Sequence, residues 1–391
     1  MKIAIFHFGV YKKGGWGRSF SLAKGLAMNG CDVTIITSDI KKGLIPIKDY
    51  KEGVNIVKVK DIIPLKILSK GFGFLSFINK ILYAIFHKFD IVHADSHRPN
   101  AYYPCIINRS IYKSKFIIEW WDNFGFDGQL KNKSRLFKTF LGKWEASTEI
   151  ISKLKANGVV VLSKAMKEKA QLNGISDHKI KIIYGGADIE HIKYIQLNKD
   201  HIREDKYNKY QLIFGYIGYG DKDIDDLICF LEAFKLASLY HSLLFINYGD
   251  PFSQKYIDNY SFNNNIINCG WIDYYKDASL LSIPDIYILI KNDDNINRYG
   301  WPNKLGDYMA CGRAIMINIY GDLSDFVSNY PNGFIIVKNE VENINKSIDD
   351  IINNFYNLDE MGKYNRYIAE NYISWNNKSK ELLEFYKELI K

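Results

Sequence analysis

Residues 1–37 read MKIAIFHFGVYKKGGWGRSFSLAKGLAMNGCDVTIIT, and the fold can be predicted outward from this stretch. The apolar run at residues 2–8 predicts a buried strand, residues 18–28 have the spacing of a helix, and residues 32–37 predict a second strand. A glycine-rich loop at residues 14–17 joins the first strand to the helix. This strand, helix, strand order is typical of a parallel sheet covered by helices on both faces.

The same alternation continues along the chain in two series. The first series has the apolar runs DIVHAD (90–95), KFIIEWW (115–121), GVVVLS (158–163) and KIKIIYGG (179–186). The polar segment 198–209 predicts a linker. The second series has QLIFGYIGYG (211–220), SLLFINYG (242–249), NIINCGW (265–271), DIYILI (285–290), RAIMINI (313–319) and GFIIV (333–337). A chain of 391 residues exceeds one ordinary core, so the pattern predicts an α/β protein with two Rossmann-like domains facing each other across a cleft.

Composition narrows the class of protein. Hydrophobic residues make up 47% and charged residues 25%, as in soluble globular proteins, and the formal charge of +8 suits anionic partners. The basic residues form no nucleic-acid recognition module, so no nucleic-acid partner is expected. Five scattered cysteines without a CxxC pair predict neither a disulfide framework nor a zinc site. The amino terminus lacks the pattern of a signal peptide, and Lys80 interrupts the longest apolar stretch, so a cytoplasmic protein is expected.

Ligands of open parallel sheets bind beyond the carboxyl ends of the strands, which directs attention to the loops there. In the first loop, Gly15 and Gly17 open a helix, which favours an anion, and Arg18 adds positive charge. The dinucleotide fingerprint GxGxxG would need a glycine where Phe20 stands, although Asp39 could serve as the ribose-binding acid of a dehydrogenase. A flexible turn with incidental glycines is the alternative.

Two further loops belong to the second series. Lys222, in GYIGYGDKDIDDL (215–227), precedes a helix and could hold a phosphate. In RYGWPNKLGDYMACGRAIM (298–316), Gly300 permits a tight turn and Pro302 fits the first helical position. The predicted helix start presents three residues to an anion, namely Asn303, Lys304 and Leu305. Asp307 lies one turn further on, where its carboxylate could accept hydrogen bonds from ribose hydroxyls.

These motifs, together with VVVLSKAMKEKAQLNG (159–174) and KIKIIYGGADIEHI (179–192), resemble glycosyltransferase family 4 in order and spacing. The resemblance runs from Met1 to about residue 371. It implies a GT-B fold with an acceptor-side Rossmann-like domain at residues 1–200 and a nucleotide-sugar-binding domain at residues 205–371. It also implies that residues 372–391 form a helix that crosses back to the first domain.

The resemblance also implies roles for individual residues. Lys222 would pair with the donor diphosphate, Asp307 would bind the ribose, and both are candidate catalytic residues. The other donor-binding positions that it implies are Gly15, Gly17 and Arg18 in the first domain and Gly270, Trp271, Tyr299, Gly300, Trp301, Asn303, Lys304 and Leu305 in the second. Two positions depart from the family pattern: Tyr299 replaces a frequent glutamate, and Trp121-Asp122 replaces a His-Asp pair, which leaves Asp122 as a candidate catalytic residue.

The activity that the resemblance implies is retaining transfer of a sugar from a UDP- or GDP-linked donor to a glycan or lipid-linked acceptor. No metal and no cofactor are expected, because the leaving phosphate assists deprotonation of the acceptor and the protein supplies charge and amide donors. Two alternatives stay open: a nucleotide-sugar epimerase on the same fold, and a non-catalytic subunit related to such transferases.

The segment PLKILSKGFGFLSFINKILYAIFHKF (64–89) mixes lysines and phenylalanines, which predicts reversible contact with an anionic membrane surface. The residues expected to make this contact are Lys66, Lys70, Lys80, Lys88, Phe72, Phe74, Phe77 and Phe86. A second basic stretch, LKNKSRLFKTFLGKW (130–144), lies in the same domain. The competing interpretation is that the phenylalanines form the core-facing side of an ordinary helix.

Overall fold

The computed structural model describes residues 1–125, 128, 130, 135, 138–195, 205–259, 265–276 and 278–391. The chain divides into two compact units. The first comprises Met1–Gly185, Arg298–Trp301 and Trp375–Lys391, and the second comprises Gly186–Asn297 and Pro302–Ser374. Residues 198–204 of the predicted linker lie outside the described residues.

The division falls at Gly186, earlier than the sequence boundary at residue 200, because the following segment packs within the second unit. The amide of Ala187 donates to the carbonyl of Ile373 at 2.8 Å. A side chain at Gly306 would collide with the carbonyl of Gly186, so the glycine permits this close approach.

The first unit contains an eight-stranded sheet among its described residues. Its strands are β1 (Lys2–Val10), β2 (Asp32–Ser38), β3 (Ile47–Lys51), β4 (Val54–Val59), β5 (Ile91–Ala94), β6 (Lys115–Trp120), β7 (Gly158–Val161) and β8 (Ile180–Ile182). Its helices are α1 (Trp16–Met28), α2 (Leu65–Leu68), α3 (Phe74–Phe86), α4 (Pro99–Tyr112), α5 (Lys143–Leu154), α6 (Lys164–Leu172) and the C-terminal helix α15 (Trp375–Ile390).

The strand order of this sheet is β3-β4-β2-β1-β5-β6-β7-β8, and all neighbours are parallel except β3 and β4. The hairpin from β3 to β4 turns at Glu52 and Gly53, whose φ angles of 49° and 83° suit a two-residue turn. The apolar pattern did not reveal β3, because its sequence IKDYK is mostly exposed and lacks a buried face.

The second unit contains a six-stranded sheet, again among its described residues. Its strands are β9 (Leu212–Gly218), β10 (Leu243–Gly249), β11 (Ile266–Gly270), β12 (Ile286–Leu289), β13 (Ala314–Ile317) and β14 (Phe334–Ile336). Its helices are α7 (Asp205–Asn208), α8 (Ile224–Ala237), α9 (Gln254–Asn259), α10 (Asn295–Tyr299, whose end falls in the first unit), α11 (Lys304–Ala310), α12 (Asp322–Asn329), α13 (Val341–Ile352) and α14 (Leu358–Asn371).

This second sheet has the order β11-β10-β9-β12-β13-β14, and every pair is parallel. Strands β9 and β10 are buried along their whole length, as expected of a sheet covered on both faces. Each apolar run that the sequence indicated contains a strand, so the predicted α/β class with two Rossmann-like units is confirmed.

Helix α15 packs against α1 within the first unit. A side chain at Gly25 of α1 would collide with Ser379, whose hydroxyl donates to the carbonyl of Leu22 at 3.1 Å. The contact is therefore close enough to require a glycine. None of the described helices is long and apolar enough to cross a lipid bilayer.

Candidate functional site

In the second sheet the strand order reverses between β9 and β12, and such a reversal opens a crevice at the carboxyl ends of the strands. Lys222 follows β9, Asp250 follows β10, and Trp271 follows β11. The candidate site is therefore built from the loops on one edge of this sheet.

Lys222 carries a positive charge that is open to a ligand at this edge. Its side chain is 75% exposed, and its ammonium donates to Asp250 Oδ2 at 3.3 Å. The same ammonium lies 5.4 Å from the ring centroid of Tyr219. An exposed ion pair of this kind is weak, because water screens it, so the ammonium can turn to a bound anion at little cost.

Two aromatic rings stand beside this lysine. Tyr219 and Trp271 have ring centroids 5.3 Å apart, and both are more than half exposed. Gly270 has a φ of 75°, which lets the chain turn at the end of β11 and present Trp271. Trp271 Nε1 donates to Asp250 Oδ1 at 2.8 Å, and this bond, with that from Lys222, lowers the pKa of the Asp250 carboxyl. The rings thus form a fixed apolar surface against which a planar group can stack.

Asp307 lies in the first turn of α11 and is half-buried. The hydroxyl of Tyr274 donates to its Oδ2 at 3.0 Å. Burial raises the pKa of Asp307 to about 7, with Asp188 reinforcing the shift and the bond from Tyr274 opposing it. Near neutral pH this carboxyl therefore changes charge readily, which is a property typical of functional sites.

Lys304 points into the second unit. Its ammonium donates to the hydroxyl of Tyr216 at 2.8 Å and lies 3.6 Å from Asp223 Oδ2. Burial lowers the pKa of Lys304 to about 8, while Asp223 opposes the shift. The side chain fastens the start of α11 to β9, so any contact with a donor at this position falls to the backbone. Leu305 is buried in the core and Asn303 is exposed.

In the first unit the glycine loop follows β1. Gly15 is the residue before α1, and a Cβ there would overlap the ring of Trp121. A Cβ on Gly17 would meet no atom within 4 Å. Trp121, which replaces the histidine of the family pattern, thus lies on the loop, and the half-buried Asp122 follows it.

Arg18 is buried, although the sequence predicted a charge open to an anion. Its Nε donates to Glu119 Oε2 at 3.0 Å, and Nη2 donates to the carbonyl of Ile183 at 3.0 Å. The first turn of α1 packs against the ends of neighbouring strands, where this ion pair joins them. The structure therefore puts the charge in the core of the first unit.

Residues 299–301 also belong to the first unit, where the sequence had put them on the donor side of the second. The carbonyl of Tyr299 accepts from Ser163 Oγ at 2.8 Å, and Lys169 Nζ lies 5.3 Å from the Tyr299 ring. The ring of Trp301 packs against Tyr184 at 4.4 Å between centroids. These contacts hold Gly300 and its neighbours to the first unit.

Sequence reasoning missed a buried polar cluster at the reversal of strand order between β1 and β5. Asp95 Oδ2 accepts from Ser19 Oγ at 2.8 Å and lies 2.5 Å from His7 Nδ1. His7 Nε2 lies 3.3 Å from the carbonyl of Lys13, so the cluster supports the glycine loop. Asp95 follows an apolar run directly, which was the available signal. Tyr274 and Asp250 were missed as well.

Among the described residues, no group of three or more histidine, cysteine, aspartate or glutamate side chains could hold a metal ion.

Comparison with known proteins agrees with this architecture. The sequence profile of Glycosyltransferase Family 4 matches residues 14–191. An uncharacterized glycosyltransferase of Methanocaldococcus jannaschii, MJ1069, is 30% identical over 270 residues, which cover 68% of this chain. The match spans 65% of that relative's length.

Solved structures resemble the chain over nearly its whole length. The sucrose-phosphate synthase of Thermosynechococcus elongatus has a TM-score of 0.72 at 15% identity, covering 99% of this chain and 98% of that one. HepE of Anabaena, solved in complex with UDP-glucose, has a TM-score of 0.69 at 14% identity, covering 99% and 100%. These similarities confirm the predicted GT-B fold.

Proposed function

The chain belongs to glycosyltransferase family 4, and on that premise we propose that it transfers a sugar from a nucleotide-diphosphate donor to a glycan or lipid-linked acceptor. Anabaena HepE, which shares the fold, was solved with UDP-glucose. A UDP- or GDP-linked donor is the substrate class that we propose for this chain.

The observation that carries the proposal is the set of groups at the carboxyl edge of the second sheet. An exposed ammonium at Lys222, an exposed aromatic pair at Tyr219 and Trp271, and a carboxyl at Asp307 all follow strands or begin a helix there. A nucleotide sugar has a matching part for each: a diphosphate, a planar base, and hydroxyl groups that donate hydrogen bonds. The match of chemical types supports a donor site in this unit.

The reaction that we propose retains the anomeric configuration and needs no metal ion. As the bond from sugar to phosphate breaks, negative charge grows on the leaving diphosphate. Lys222 stabilises that charge, and because its ion-pair partner Asp250 is exposed, the ammonium is available to follow it. The oxygen of the acceptor hydroxyl bonds to the anomeric carbon on the face that the diphosphate leaves, and the leaving phosphate takes the hydroxyl proton. We assign the acceptor to the first unit, where Asp122 is the candidate to orient it.

The donor proposal is tested first by binding. Purified protein is warmed with a panel of UDP- and GDP-sugars and the free nucleotides, because a ligand that binds only the native state raises the melting temperature. Lys222→Ala should reduce the stabilisation by the best donor. Lys235→Ala, which removes an exposed lysine from α8, is the matched control. Stabilisation by no nucleotide at all would refute a donor site.

Turnover tests the activity itself. The protein is incubated with the stabilising donor, with and without a mixture of glycan and lipid-linked acceptors, and the anomeric configuration of the product is read by NMR. A product with the configuration of the donor supports the proposal, whereas inversion refutes retention. Isomerised donor without acceptor would identify an epimerase, and binding without any turnover would identify a non-catalytic subunit.

A further inference from the structure

Helix α3 turns its apolar side to solvent. The residues at every fourth position, Phe74, Ile78, Leu82 and Phe86, are exposed, and the terminal phenylalanines reach 66% and 74% exposure. We call these four residues the apolar stripe. Positions four apart lie on one face of a helix, so the stripe is continuous. The residues of the helix that are buried are Ser76, Lys80 and Ala84. An ordinary surface helix buries its apolar face, whereas α3 leaves these four large apolar side chains exposed.

The polar side of α3 is fixed by specific contacts. The ammonium of Lys80, fully buried, donates to the carbonyl of His7 at 2.6 Å. The amide of Ser76 donates to Asp61 Oδ2 at 2.8 Å, and Asn100 Nδ2 donates to Ser76 Oγ at 3.0 Å. Rotating the helix to bury the stripe would break these bonds and leave buried polar groups without partners, which is costly. The exposure of the stripe is therefore built into the fold.

The surroundings of the stripe are basic. Residues 62–89 contain no aspartate or glutamate. Lys66, Lys70 and Lys88 are exposed before and after the helix, and we call these three residues the basic flank. Ile62 and Ile67, in the segment leading to α3, are exposed as well, so the apolar surface extends beyond the helix.

We propose that the α3 surface docks on an anionic lipid bilayer, with the apolar stripe at the boundary of the acyl chains and the basic flank over the headgroup phosphates. An apolar face bordered by lysines is the composition of helices that lie in the membrane interface. This proposal goes beyond the donor site and does not depend on it.

The structure corrects the residues that the sequence had assigned to this contact. Lys80 is buried and bound to His7, so it cannot reach a lipid. Phe72 packs against Trp144 at 6.1 Å between centroids, and Phe77 packs against Tyr103 at 6.0 Å. Phe72 and Phe77 are thus half-buried against rings of the first unit, whereas Phe74 and Phe86 are exposed. Much of the second basic stretch, residues 130–144, lies outside the described residues and carries no part of the proposal.

Charge favours a bilayer over a second copy of the chain. A twofold contact brings the same patch of both copies together, so the basic flank would face lysines and no carboxylate from residues 62–89 would offset them. Anionic headgroups supply that missing charge. Each lysine near such a surface strengthens binding about fivefold, so three contribute about a hundredfold at low salt.

The first test uses the full chain and vesicles of phosphatidylglycerol and phosphatidylcholine in equal parts, in a sedimentation assay at low ionic strength. Wild type should sediment with these vesicles and much less with pure phosphatidylcholine. Leu82→Gln/Phe86→Gln should bind at least tenfold more weakly. Leu239→Gln/Tyr240→Gln, which removes two exposed apolar residues from the second unit, should bind like wild type. Equal binding of wild type and the stripe variant would overturn the proposal.

The second test isolates charge and needs no change to the helix. The triple variant Lys66→Gln/Lys70→Gln/Lys88→Gln should lose about a hundredfold in binding. A control triple with the same change in net charge replaces three exposed lysines elsewhere, Lys235, Lys346 and Lys380, by glutamine. Equal losses in both triples would overturn the proposal, since net charge alone would then explain binding. Failure of wild type to bind anionic vesicles would also overturn the proposal, whether or not the protein dimerises through the apolar stripe. Stabilisation by nucleotides should be unchanged in every variant, which separates failure here from failure of the donor site.

Discussion

Replacing Asp307 by asparagine should make the protein more stable at alkaline pH while abolishing transfer. The carboxyl is half-buried, and burial raises its pKa from 3.8 to about 7. Asp188 reinforces the shift, and the hydroxyl of Tyr274 opposes it by donating to the charged form. Asparagine keeps the shape and an oxygen that can accept from Tyr274, but it carries no charge to desolvate.

The sign follows from proton binding. The folded-state pKa lies above the unfolded value, so between about pH 4 and 7 the folded protein holds a proton that the unfolded chain has lost. The stabilisation from this group is therefore complete below the pKa of the unfolded chain. As pH rises from there through the folded-state pKa, the free energy of unfolding falls by about 1.4 kcal/mol per pH unit. Between pH 5 and 8 the free energy of unfolding of wild type should therefore fall by about 1 to 3 kcal/mol more than that of the Asn variant.

The assay compares melting temperatures of wild type and Asp307→Asn at pH 5 and pH 8. The midpoint is preferred to an extrapolated free energy, because the two units need not unfold together. The difference in favour of asparagine should grow by roughly 2 to 10 °C from pH 5 to pH 8. Asp250→Asn is the control: the pKa of that carboxyl is lowered, so the difference between this variant and wild type should not change over the same range.

A difference between wild type and Asp307→Asn that stays constant from pH 5 to 8 would refute the raised pKa. Activity gives an independent reading. Transfer should be lost in the Asn variant at both pH values if Asp307 accepts hydrogen bonds from the donor. In Tyr274→Phe the carboxylate loses a donor, so the midpoint of the stability profile should move to higher pH.

Three further outcomes are expected. Lys222→Ala should slow transfer about a hundredfold with the melting temperature unchanged, and near-normal turnover would contradict the role of this exposed ammonium. Arg18→Met should lower stability by about 3 kcal/mol, measured as a fall in melting temperature, because the buried Glu119 would lose the guanidinium that balances its charge; an unchanged midpoint would contradict this. Turnover should persist in excess EDTA, and loss that a divalent ion restores would refute metal independence.

The sequence was sufficient for the architecture because a parallel sheet leaves a strong local signal. Its strands are buried on both faces and read as short apolar runs, as in β9 and β10. Strand β3 left no such signal, since it lies at the edge of the first sheet and is mostly exposed. Its position follows from pairing with β4, which local composition does not encode.

Side-chain direction was harder to predict, because it depends on partners far along the chain. Arg18 follows two glycines, which favours an exposed cation, yet Glu119 lies 101 residues away and draws it inside. Lys80 lies among apolar residues, which predicted an interface, but its ammonium donates a hydrogen bond to the carbonyl of His7, 73 residues away. Neither partner is visible in the local motif, so the charge pattern alone overestimated how many cations face a ligand.

Lys304, Lys222 and Asp307 of the candidate site differ in how far the protein compensates their charge, and this difference supports the assignment of the site. Lys304 is desolvated but has Tyr216 and Asp223 beside it, so its charge is compensated inside the protein. Lys222 stays solvated, so its charge lowers the stability of the folded state little. Asp307 alone is desolvated while its described hydrogen-bond partner is a neutral hydroxyl, so its ionisation weakens the folded state. Hydroxyl groups of a bound donor would supply the missing hydrogen bonds to the carboxylate, and ionisation of Asp307 would then strengthen donor binding as it weakens the empty protein.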